Sequence, residues 1–379
     1  MIKLLIPILS MILITDSIIA QTTLQIHLKE LPPYHPAGSD IFVAGSFNGW
    51  NPSDVNYKFQ RKENGELFLD LKLNNGTHEF KLTRGSWDKV ECKKDGGDIQ
   101  NRMIRVDGNS EISVSVEEWK DRFPGKPKKS TAGKNVKIID TAFLIPQLNR
   151  VRRVWVYLPE SYATGKRKYP VLYMHDGQNV FDEATAFAGE WGVDETLDTL
   201  GPETKECIVV AIDHGAAKRL NEYNPYNTTR FGNGEGDLYL DFLVKTLKPY
   251  IDKKYRTEKK KEHTSIAGSS MGGLISLYAV LKYPKVFGSA GVFSPAFWIG
   301  NGIFNDIRLK GKKVKSHIYF YGGKQENETM IPDMLKAFDE MRKVSKSKME
   351  MVIRDDGKHN EATWRKEFPL FYKWITKKF

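Results

Sequence analysis

The most informative segment of the chain is His263-Thr264-Ser265-Ile266-Ala267-Gly268-Ser269-Ser270-Met271-Gly272-Gly273. It contains the pattern Gly-x-Ser-x-Gly centred on Ser270, in which glycines allow a sharp turn around an exposed serine. The pattern alone is weak, since a chain of this composition produces it by chance in roughly one case in eight. Its surroundings strengthen it, because a short strand ends at Ala267 and the apolar run 274–281 is typical of a helix. The stretch therefore predicts a strand–turn–helix unit that presents a serine hydroxyl.

Residues 136–379 continue this alternation of strand and helix. The apolar runs 169–174 and 207–212 are typical of strands buried on both faces. In 237–251 the apolar residues recur every three or four positions, as on one face of a helix. The pattern predicts an α/β fold with a doubly wound, mostly parallel sheet.

Residues 21–119 follow a different pattern, in which apolar and polar residues alternate with a period of two. The alternation is clearest in 24–28, 67–73 and 112–116, and turn signals rich in Asn and Gly separate such runs. Several short strands without a helical segment predict a small antiparallel, immunoglobulin-like β-sandwich. Residues 120–135 are rich in Pro, Gly and Lys without periodicity, and we interpret them as a basic linker.

The first twenty residues resemble a secretory signal peptide. Lys3 precedes an apolar run of 11 residues, and Ala20 supplies the small residue before the expected cleavage point. The run is short for a membrane span, although an uncleaved anchor is the competing interpretation. We therefore expect a secreted or periplasmic protein. Its two cysteines, Cys92 and Cys207, lie in different predicted domains, so we expect two unpaired, buried thiols.

The composition narrows the classes of function. With 40% hydrophobic and 28% charged residues, the chain is neither mainly disordered nor a polytopic membrane protein. The net charge of +11 comes from scattered lysines, which we interpret mainly as solvated faces. The alternative is a basic surface that attracts acidic glycan, nucleic acid or membrane.

A serine hydroxyl is a poor nucleophile, so a histidine must accept its proton and an acid must orient that histidine. In this fold the order along the chain is serine, acid, histidine, and only His317 and His359 follow Ser270. His317 precedes a predicted strand, whereas active residues lie beyond the carboxyl ends of strands. His359 follows a strand through a loop and is the predicted base.

The acid is expected in the loop after the strand that ends at Tyr321. We favour Glu326 over Glu328, and Asp333 is a further alternative. The oxyanion of a tetrahedral intermediate needs two N–H donors. We expect one from Met271 and the other from the turn after the third strand, at Gln178 or Gly177. His175 and Asp176, which precede that turn, are interpreted as shaping residues.

Five strings identify residues 136–379 as resembling the "putative esterase" family of α/β hydrolases, which includes enterochelin, feruloyl and acetyl-xylan esterases and the esterase D type. They are Tyr173-Met174-His175-Asp176-Gly177-Gln178-Asn179, Gly189-Glu190-Trp191-Gly192-Val193-Asp194, Gly268-Ser269-Ser270-Met271-Gly272-Gly273, Phe293-Ser294-Pro295-Ala296-Phe297-Trp298 and Gly357-Lys358-His359-Asn360 with Trp364. The resemblance implies Ser270 as nucleophile, His359 as base and Glu326 as acid, although many members have aspartate there.

The substrate pocket is expected to include Trp191, Arg219 and Trp298. Arg219 lies in the loop 213–236, whose Tyr223 and Tyr226 are further candidates. No metal or organic cofactor is expected, because the chain has no zincin, phosphate-loop or dinucleotide signature.

The N-terminal domain resembles a glycogen- or starch-binding module through Val43-Ala44-Gly45-Ser46-Phe47-Asn48-Gly49-Trp50 and Glu79-Phe80-Lys81-Leu82. The resemblance implies sugar contacts from Trp50, Lys81, Trp87 and Asn101. Indole rings stack on the apolar face of a pyranose, and amide or ammonium groups bond its hydroxyls. The alternative is that the tryptophans belong to the core and the module is a spacer.

Together these features predict a secreted serine carboxylesterase that hydrolyses acetyl or feruloyl esters on poly- or oligosaccharides. The alternatives are a siderophore esterase of enterochelin type, an acyltransferase on the same fold, and a glycan-binding protein whose hydrolase domain is inactive. The expected partner is the acylated glycan. Neither nucleic acid nor, after removal of the leader, a membrane is expected as a partner.

Overall fold

A computed structural model describes residues 22–123, 128–187, 189–200, 204–229 and 231–377. The predicted signal peptide, 1–20, lies outside the described residues. The chain divides into two compact units, Met1–Pro124 and Gly125–Phe379. No helix in the described ranges is long and apolar enough to cross a membrane.

The first unit is built from nine short strands among its described residues. They are β1 (Thr22–Glu30), β2 (Phe42–Gly45), β3 (Gln60–Arg61), β4 (Leu67–Leu73), β5 (Gly76–Thr83), β6 (Glu91–Cys92), β7 (Arg102–Val106), β8 (Ser110–Ser115) and β9 (Glu118–Trp119). They form sheets with the strand orders β3-β4-β1-β8, β2-β5-β7 and β6-β9. Alternate residues of β1 and β5, such as Leu24, Ile26, Phe80 and Leu82, pack into one apolar core between the sheets. The predicted sandwich is confirmed.

One pairing in this unit differs from the antiparallel prediction. Strand β1 runs parallel to β8, with Leu24 beside Ser110 and Ile26 beside Ile112. The apolar alternation reports which side chains face the core but carries no information about strand direction. Direction follows from sequence only where a tight turn joins two strands, and β1 and β8 are far apart in the chain.

The second unit is organised around an eight-stranded sheet. Its strands are β10 (Val136–Ile145), β11 (Arg150–Tyr157), β12 (Val171–His175), β13 (Ile208–Ile212), β14 (Thr264–Ser269), β15 (Ser289–Phe293), β16 (His317–Gly323) and β17 (Lys348–Arg354), in the order β10-β11-β13-β12-β14-β15-β16-β17. From β13 to β17 neighbouring strands are parallel, and β10 and β11 extend the sheet as antiparallel strands. The predicted doubly wound, mostly parallel sheet is confirmed.

Helices cover both faces of this sheet. They are α1 (Ser161–Thr164), α2 (Val193–Leu200), α3 (Arg219–Tyr223), α4 (Gly236–Phe242), α5 (Lys248–Lys254), α6 (Met271–Lys282), α7 (Gly302–Lys310), α8 (Met330–Val344) and α9 (Glu361–Thr376). A π-helical turn, Leu243–Leu247, joins α4 to α5, so the helix predicted over 237–251 is continuous but irregular. Strand β13 shows the two-sided burial, because Ile208, Val210 and Ile212 face one apolar core and Val209 and Ala211 face the other.

The order of the strands predicts where a site can form. After β12 the chain places β13 on one side and then β14 on the other side of β12. Parallel sheets leave a crevice at the carboxyl ends of the strands where the order reverses in this way. That crevice lies beyond His175 and Ser269, at the ends of β12 and β14.

The predicted linker, 120–135, includes residues that each unit holds. Lys120–Arg122 form a 3₁₀ turn of the first unit, and 124–127 lie outside the described residues. In the second unit Ser130 donates to Asp182, and the N–H of Gly133 donates to Asp194. Polar linker residues can thus be fixed by buried carboxylates, which composition does not reveal.

The two cysteines lie apart from each other in the two units. Cys92 and Cys207 are both unpaired and buried, as predicted. Burial raises the pKa of both thiols, and that of Cys207 rises to about 12. Both side chains therefore act as small apolar groups of the core.

Candidate active site

Ser270 occupies a strained turn between β14 and α6. Its φ of 60° and ψ of −119° are rare for a residue with a side chain. The flanking glycines make the turn possible. A Cβ at Gly268 would lie 2.9 Å from Cδ2 of His175, and a Cβ at Gly272 would lie 3.3 Å from the Cβ of His175. Strand and helix therefore approach each other with His175 packed against both glycines.

The backbone of Ser270 is fixed by the next strand. Its N–H donates to the carbonyl of Phe293 (2.9 Å), and its carbonyl accepts from the N–H of Ala296 (3.0 Å). Phe293 ends β15 and Ala296 lies in the loop that follows. The serine is thus held from both sides at the carboxyl edge of the sheet, where strain at a single residue is tolerated because its surroundings enforce it.

His359 and Glu326 form a close pair at the same edge. The histidine lies in the loop between β17 and α9, and its Nδ1 is 2.6 Å from Oε2 of Glu326. The glutamate side chain is fully buried, whereas that of His359 is 37% exposed. Because an ionised carboxylate only accepts, Nδ1 carries the proton and Nε2 is left free to accept one.

Two further groups hold the Glu326 carboxylate. Its Oε1 accepts from the N–H of Gly323 and from Oγ of Ser294, each at 2.7 Å. Ser294 in turn accepts from Nε1 of Trp364 (2.9 Å), whose ring meets that of His359 edge-on at 5.1 Å. The carboxylate thus has one oxygen for the histidine and one for its own support.

The alternative acids are placed differently. Glu328 is exposed in the same loop, and Asp333 lies in the first turn of α8. Among the described residues, neither of them bonds to His359. Ser294 and Trp364 belong to strings that carry the family resemblance, but nothing in the sequence indicated their contact with the carboxylate.

The expected N–H donors lie at two helix starts. Met271 begins α6, and Gly177 begins the 3₁₀ turn Gly177–Asn179 after β12. The first N–H groups of a helix have no acceptor within it, so those of Met271, Gly177 and Gln178 remain available. A Cβ at Gly177 would lie 2.8 Å from the backbone of Ile212, so only glycine fits there.

An ion pair anchors the turn that carries these donors. Asp176 has a left-handed backbone, with φ of 57°, and its carboxylate accepts from Nε and Nη2 of Arg219 at 2.6 and 2.9 Å. Burial alone would raise the pKa of Asp176, but the guanidinium holds that pKa below its ordinary value. Arg219, expected in the substrate pocket, thus has its fork engaged by Asp176.

His175 is buried beside this ion pair. Its Nδ1 lies 2.9 Å from the hydroxyl of Tyr239, and burial lowers the pKa of the imidazole to about 4. The imidazole ring is therefore neutral at physiological pH, and it packs against the turn that carries Ser270.

Asn179 links the donor turn to the start of α9. Its Nδ2 donates to Oε1 of Glu361 (3.0 Å), and its Oδ1 accepts from the N–H of Phe187 (3.1 Å). Glu361 follows His359 by two residues and is buried, which raises its pKa. This bridge joins the loop of the predicted base to the predicted oxyanion donors, and no pattern in the sequence indicated it.

The other expected pocket residues have different environments. The Trp191 side chain is only 3% exposed and stacks on Trp364 at a ring distance of 5.7 Å, so it lies in the core and not at an open pocket. An aromatic residue in a loop gives no sign in sequence of which way it faces.

Trp298 is half-buried and meets Phe231 edge-on at 6.0 Å. Tyr223 is fully buried, and Tyr226 donates to Asp306.

In the first unit, the residues expected to contact sugar form two groups. Trp50 and Trp87 are half-buried neighbours with ring centroids 6.2 Å apart and planes inclined by 38°. Lys81 and Glu79 share one face of β5, and Nδ2 of Asn101 donates to Glu79 (2.9 Å). No cluster of His, Cys, Asp or Glu in the described part of either unit has the arrangement of a metal site.

Comparison with known proteins identifies the family and three relatives. A sequence profile of the family described as "Putative esterase" matches residues 145–374, more than half of the chain. The uncharacterized protein YbbA of Bacillus subtilis (strain 168) is 26% identical over an alignment of 240 residues, and the match covers 59% of this chain and 92% of that protein. An endo-1,4-β-xylanase/feruloyl esterase of Xylanibacter ruminicola is 27% identical over 216 residues, 56% of this chain and 27% of that protein. An α-amylase of Niallia circulans is 37% identical over 94 residues, 24% of this chain and 7% of that protein.

A solved structure extends the likeness of the fold. The enterobactin esterase of Shigella flexneri, crystallised in the presence of enterobactin, matches with a TM-score of 0.53 and 15% identity. The match covers 89% of this chain and 88% of that one. At this identity the likeness concerns the fold alone. The family match and the esterase relatives agree with the fold described above, and the chain belongs to the "putative esterase" family and is a carboxylic ester hydrolase.

Proposed function

We propose that Ser270 is the nucleophile of this esterase, His359 its general base and Glu326 the acid that orients the histidine. The serine Oγ attacks the ester carbonyl carbon while its proton passes to Nε2 of His359. The ester C–O bond then breaks, and the imidazolium returns the proton to the departing alcohol. Water repeats the sequence on the acyl-enzyme and releases the carboxylic acid.

The N–H groups of Met271 and of Gln178 or Gly177 would bind the oxyanion of the tetrahedral intermediate. Preorganised donors of this kind commonly contribute a factor of about 10²–10³ to turnover. The ion pair between Asp176 and Arg219 supports this role, because it fixes the turn from which one donor projects. Asn179 supports it from the other side through Glu361.

The observation that carries the proposal is the bond between the buried Glu326 carboxylate and His359. A carboxylate with a fully buried side chain is costly unless it is bonded, and this one has three partners. One of the three is the His359 imidazole, which remains partly exposed to solvent. If the pair had only a structural role, exposure of the imidazole to solvent would not increase the stability of the fold.

We propose that the substrates are acetyl or feruloyl esters on poly- or oligosaccharides. The similarity to a xylanase/feruloyl esterase supports this class, and so does the 94-residue similarity to an α-amylase. In the first unit the paired Trp50 and Trp87 would stack on sugar rings, while Lys81 and Asn101 would bond hydroxyls. Polymeric substrates outside the cell would suit a secreted or periplasmic enzyme, which the leader predicts.

A siderophore esterase is the second candidate. The enterobactin esterase structure matches 89% of this chain, which is a larger share than the esterase unit alone occupies. In that case the cleaved bond would be an ester of a catecholate or hydroxamate chelator, and the same three residues would perform the reaction.

A panel of esters separates these candidates. The mature protein and Ser270→Ala are assayed on p-nitrophenyl acetate, feruloyl arabinoxylan oligosaccharides, acetylated xylan and enterobactin. We expect the sugar esters to give the highest kcat/KM, and Ser270→Ala to lose a factor of about 10⁴–10⁶ on every substrate. Preferred cleavage of enterobactin would favour the second candidate. Equal activity of both proteins would refute the role of Ser270. Transfer of the acyl group to added sugar in place of water would indicate an acyltransferase.

A further inference from the structure

The two edges of the parallel sheet carry opposite charge. Strands β12 to β17 all begin at one edge, and the segments of sequence that lead into them contain thirteen lysines and arginines but only four glutamates. These segments are 165–170, 201–207, 255–263, 283–288, 311–316 and 345–347. Their excess of nine positive charges is most of the net charge of the whole chain, +11. We call this surface the basic edge.

The opposite edge, where the catalytic residues lie, has the reverse balance. The segments that leave the strands there contain nine aspartates and glutamates and three lysines. These segments are 176–192, 213–218, 294–301, 324–329 and 355–360. The net positive charge of this protein is therefore concentrated away from its candidate active site, and it is not spread evenly over solvated faces.

Helix dipoles explain only part of this asymmetry. Cations are favoured at the carboxyl ends of helices, which point towards the basic edge, but that effect fades within the last turn of a helix. Ten of the thirteen cations are lysines with exposed side chains and no ion pair among the described residues, Lys259, Lys260, Lys312 and Lys313 among them. The remaining three are engaged: Arg167 pairs with Glu206, while Arg256 and Lys261 donate to backbone carbonyls.

The lysines of neighbouring turns are close enough to repel one another. The Nζ of Lys261 lies 3.0 Å from the carbonyl of Lys315, so the two turns touch. Burial is the main cause that lowers the pKa of Lys261; the charge of Glu262 raises that pKa, and the charge of Lys315 lowers it further. The cations of these turns outnumber their carboxylates, and an excess of like charge of this kind favours a polyanionic partner.

The shape and composition of the edge indicate which polyanion fits. Six parallel strands spaced about 4.8 Å apart form a row roughly 25 Å long, which presents its lysines as a broad array. Among the described residues of the six turns, Tyr169 and Phe287 are buried. Tyr255 and Tyr283 are half-buried, and a lysine ammonium lies over each of their rings. Single-stranded nucleic acids and sugars stack on open ring faces, so the edge lacks their usual platform. Lysines act as hydrated point charges and bind anions without a defined geometry. This property suits a fluid layer of lipid phosphates, which offers no fixed geometry.

We propose that the basic edge docks this esterase onto an anionic lipid surface, with the catalytic edge turned away from the lipid. The partner is a bilayer leaflet rich in phosphate headgroups. This inference revises the expectation that a membrane is not a partner, and it does not depend on which ester the enzyme cleaves. Docking through the edge opposite Ser270 would leave the catalytic edge open to substrate from the aqueous side.

Vesicle sedimentation of the mature protein tests the proposal. The probes are vesicles of phosphatidylglycerol and phosphatidylcholine (1:1) and of phosphatidylcholine alone, in 50 mM and 300 mM NaCl. The test variant carries Lys259→Glu, Lys260→Glu, Lys312→Glu and Lys313→Glu. The matched control carries the same change of charge at four exposed lysines elsewhere, Lys29→Glu, Lys72→Glu, Lys94→Glu and Lys137→Glu. Thermal melts and p-nitrophenyl acetate hydrolysis show whether each variant is folded.

We expect the unmodified protein to bind the anionic vesicles in low salt and to be released in high salt. Each lysine near an anionic surface contributes roughly fivefold in partitioning. The basic-edge variant should therefore bind at least about 100-fold more weakly, and the control less than about threefold more weakly. The vesicle-bound protein should hydrolyse p-nitrophenyl acetate within about twofold of the free rate.

Three results would overturn the proposal. The first is equal binding to anionic and neutral vesicles, and the second is an equal loss in the two variants. The third is binding to polygalacturonate or single-stranded DNA with no binding to vesicles, which would make the basic edge a site for another polyanion. None of these results bears on the role of Ser270, which the activity assay reports separately.

Discussion

The His359–Glu326 pair of the second unit and the Trp50–Trp87 pair of the first are held in different ways. Glu326 is fully buried and its two oxygens have three hydrogen-bond partners from three segments of chain. The two tryptophans are half-buried and meet each other at 6.2 Å. One pair is enclosed and fixed, and the other is partly open to solvent.

The contrast matches what each of the two proposed roles would require. Proton transfer depends on an imidazole held in one tautomer and one orientation, which a desolvated, fully bonded carboxylate provides. Stacking on a sugar requires accessible ring faces and tolerates small displacements. Changes at the enclosed pair should therefore affect turnover strongly, while changes at the open pair should affect binding modestly.

Removing the buried carboxylate should have the largest effect of the three. For Glu326→Ala we expect kcat to fall by about 10²–10⁴, because His359 loses its orientation and the partner of its charged form. Glu328→Ala changes an exposed glutamate of the same loop, and it should alter kcat by less than about threefold. Steady-state kinetics on p-nitrophenyl acetate measure both. A larger loss in Glu328→Ala would transfer the role of acid to that residue.

Removing the support of the carboxylate should have an intermediate effect. Ser294→Ala deletes a charged hydrogen bond to Glu326, which is typically equivalent to about 1.5–3 kcal/mol. We expect kcat to fall by about 10–100-fold with KM little changed. Ser289→Ala is the matched control, since that hydroxyl is buried in β15, the strand that ends just before Ser294, and has no hydrogen-bond partner among the described residues. Equal kinetics of the two variants would exclude a positioning role for Ser294.

Removing one ring of the tryptophan pair should leave the rate of ester hydrolysis unchanged. For Trp50→Ala we expect binding to insoluble starch or xylan to weaken about tenfold, since a lost stacking contact is of the order of 1.4 kcal/mol. Turnover of p-nitrophenyl acetate should stay within about twofold. Met103→Ala, which alters an exposed apolar residue of β7, is the control and should bind normally. Failure of the unmodified protein to bind either polysaccharide would remove the sugar-binding role.

The sequence predicted the elements of the fold better than their arrangement. The runs 169–174 and 207–212 overlap β12 and β13, because continuous apolar strands require cover on both faces. The direction of β8 beside β1 was not predictable, since alternation has no polarity. The strained turn at Ser270 was predictable, because the local Gly-x-Ser-x-Gly pattern specifies it.

The rest of the candidate site depends on contacts between distant segments. Ser294 precedes Glu326 by 32 residues and Trp364 follows Ser294 by 70, and no local pattern encodes such a meeting. Trp191 was expected at the substrate pocket but packs into the core against Trp364. An indole ring is compatible with a substrate pocket and with the core, and only the folded structure shows which of the two it occupies.

Covalent trapping of the nucleophile tests whether Ser270 performs the reaction. The mature protein is treated with a fluorophosphonate, and tryptic peptides are mapped by mass spectrometry while the residual hydrolysis of p-nitrophenyl acetate is measured. We expect one adduct per chain, on Ser270, formed in step with the loss of activity, and formed at least about 100-fold more slowly in His359→Ala. Loss of activity with the adduct on another residue, or labelling of Ser270 at an unchanged rate in His359→Ala, would contradict it.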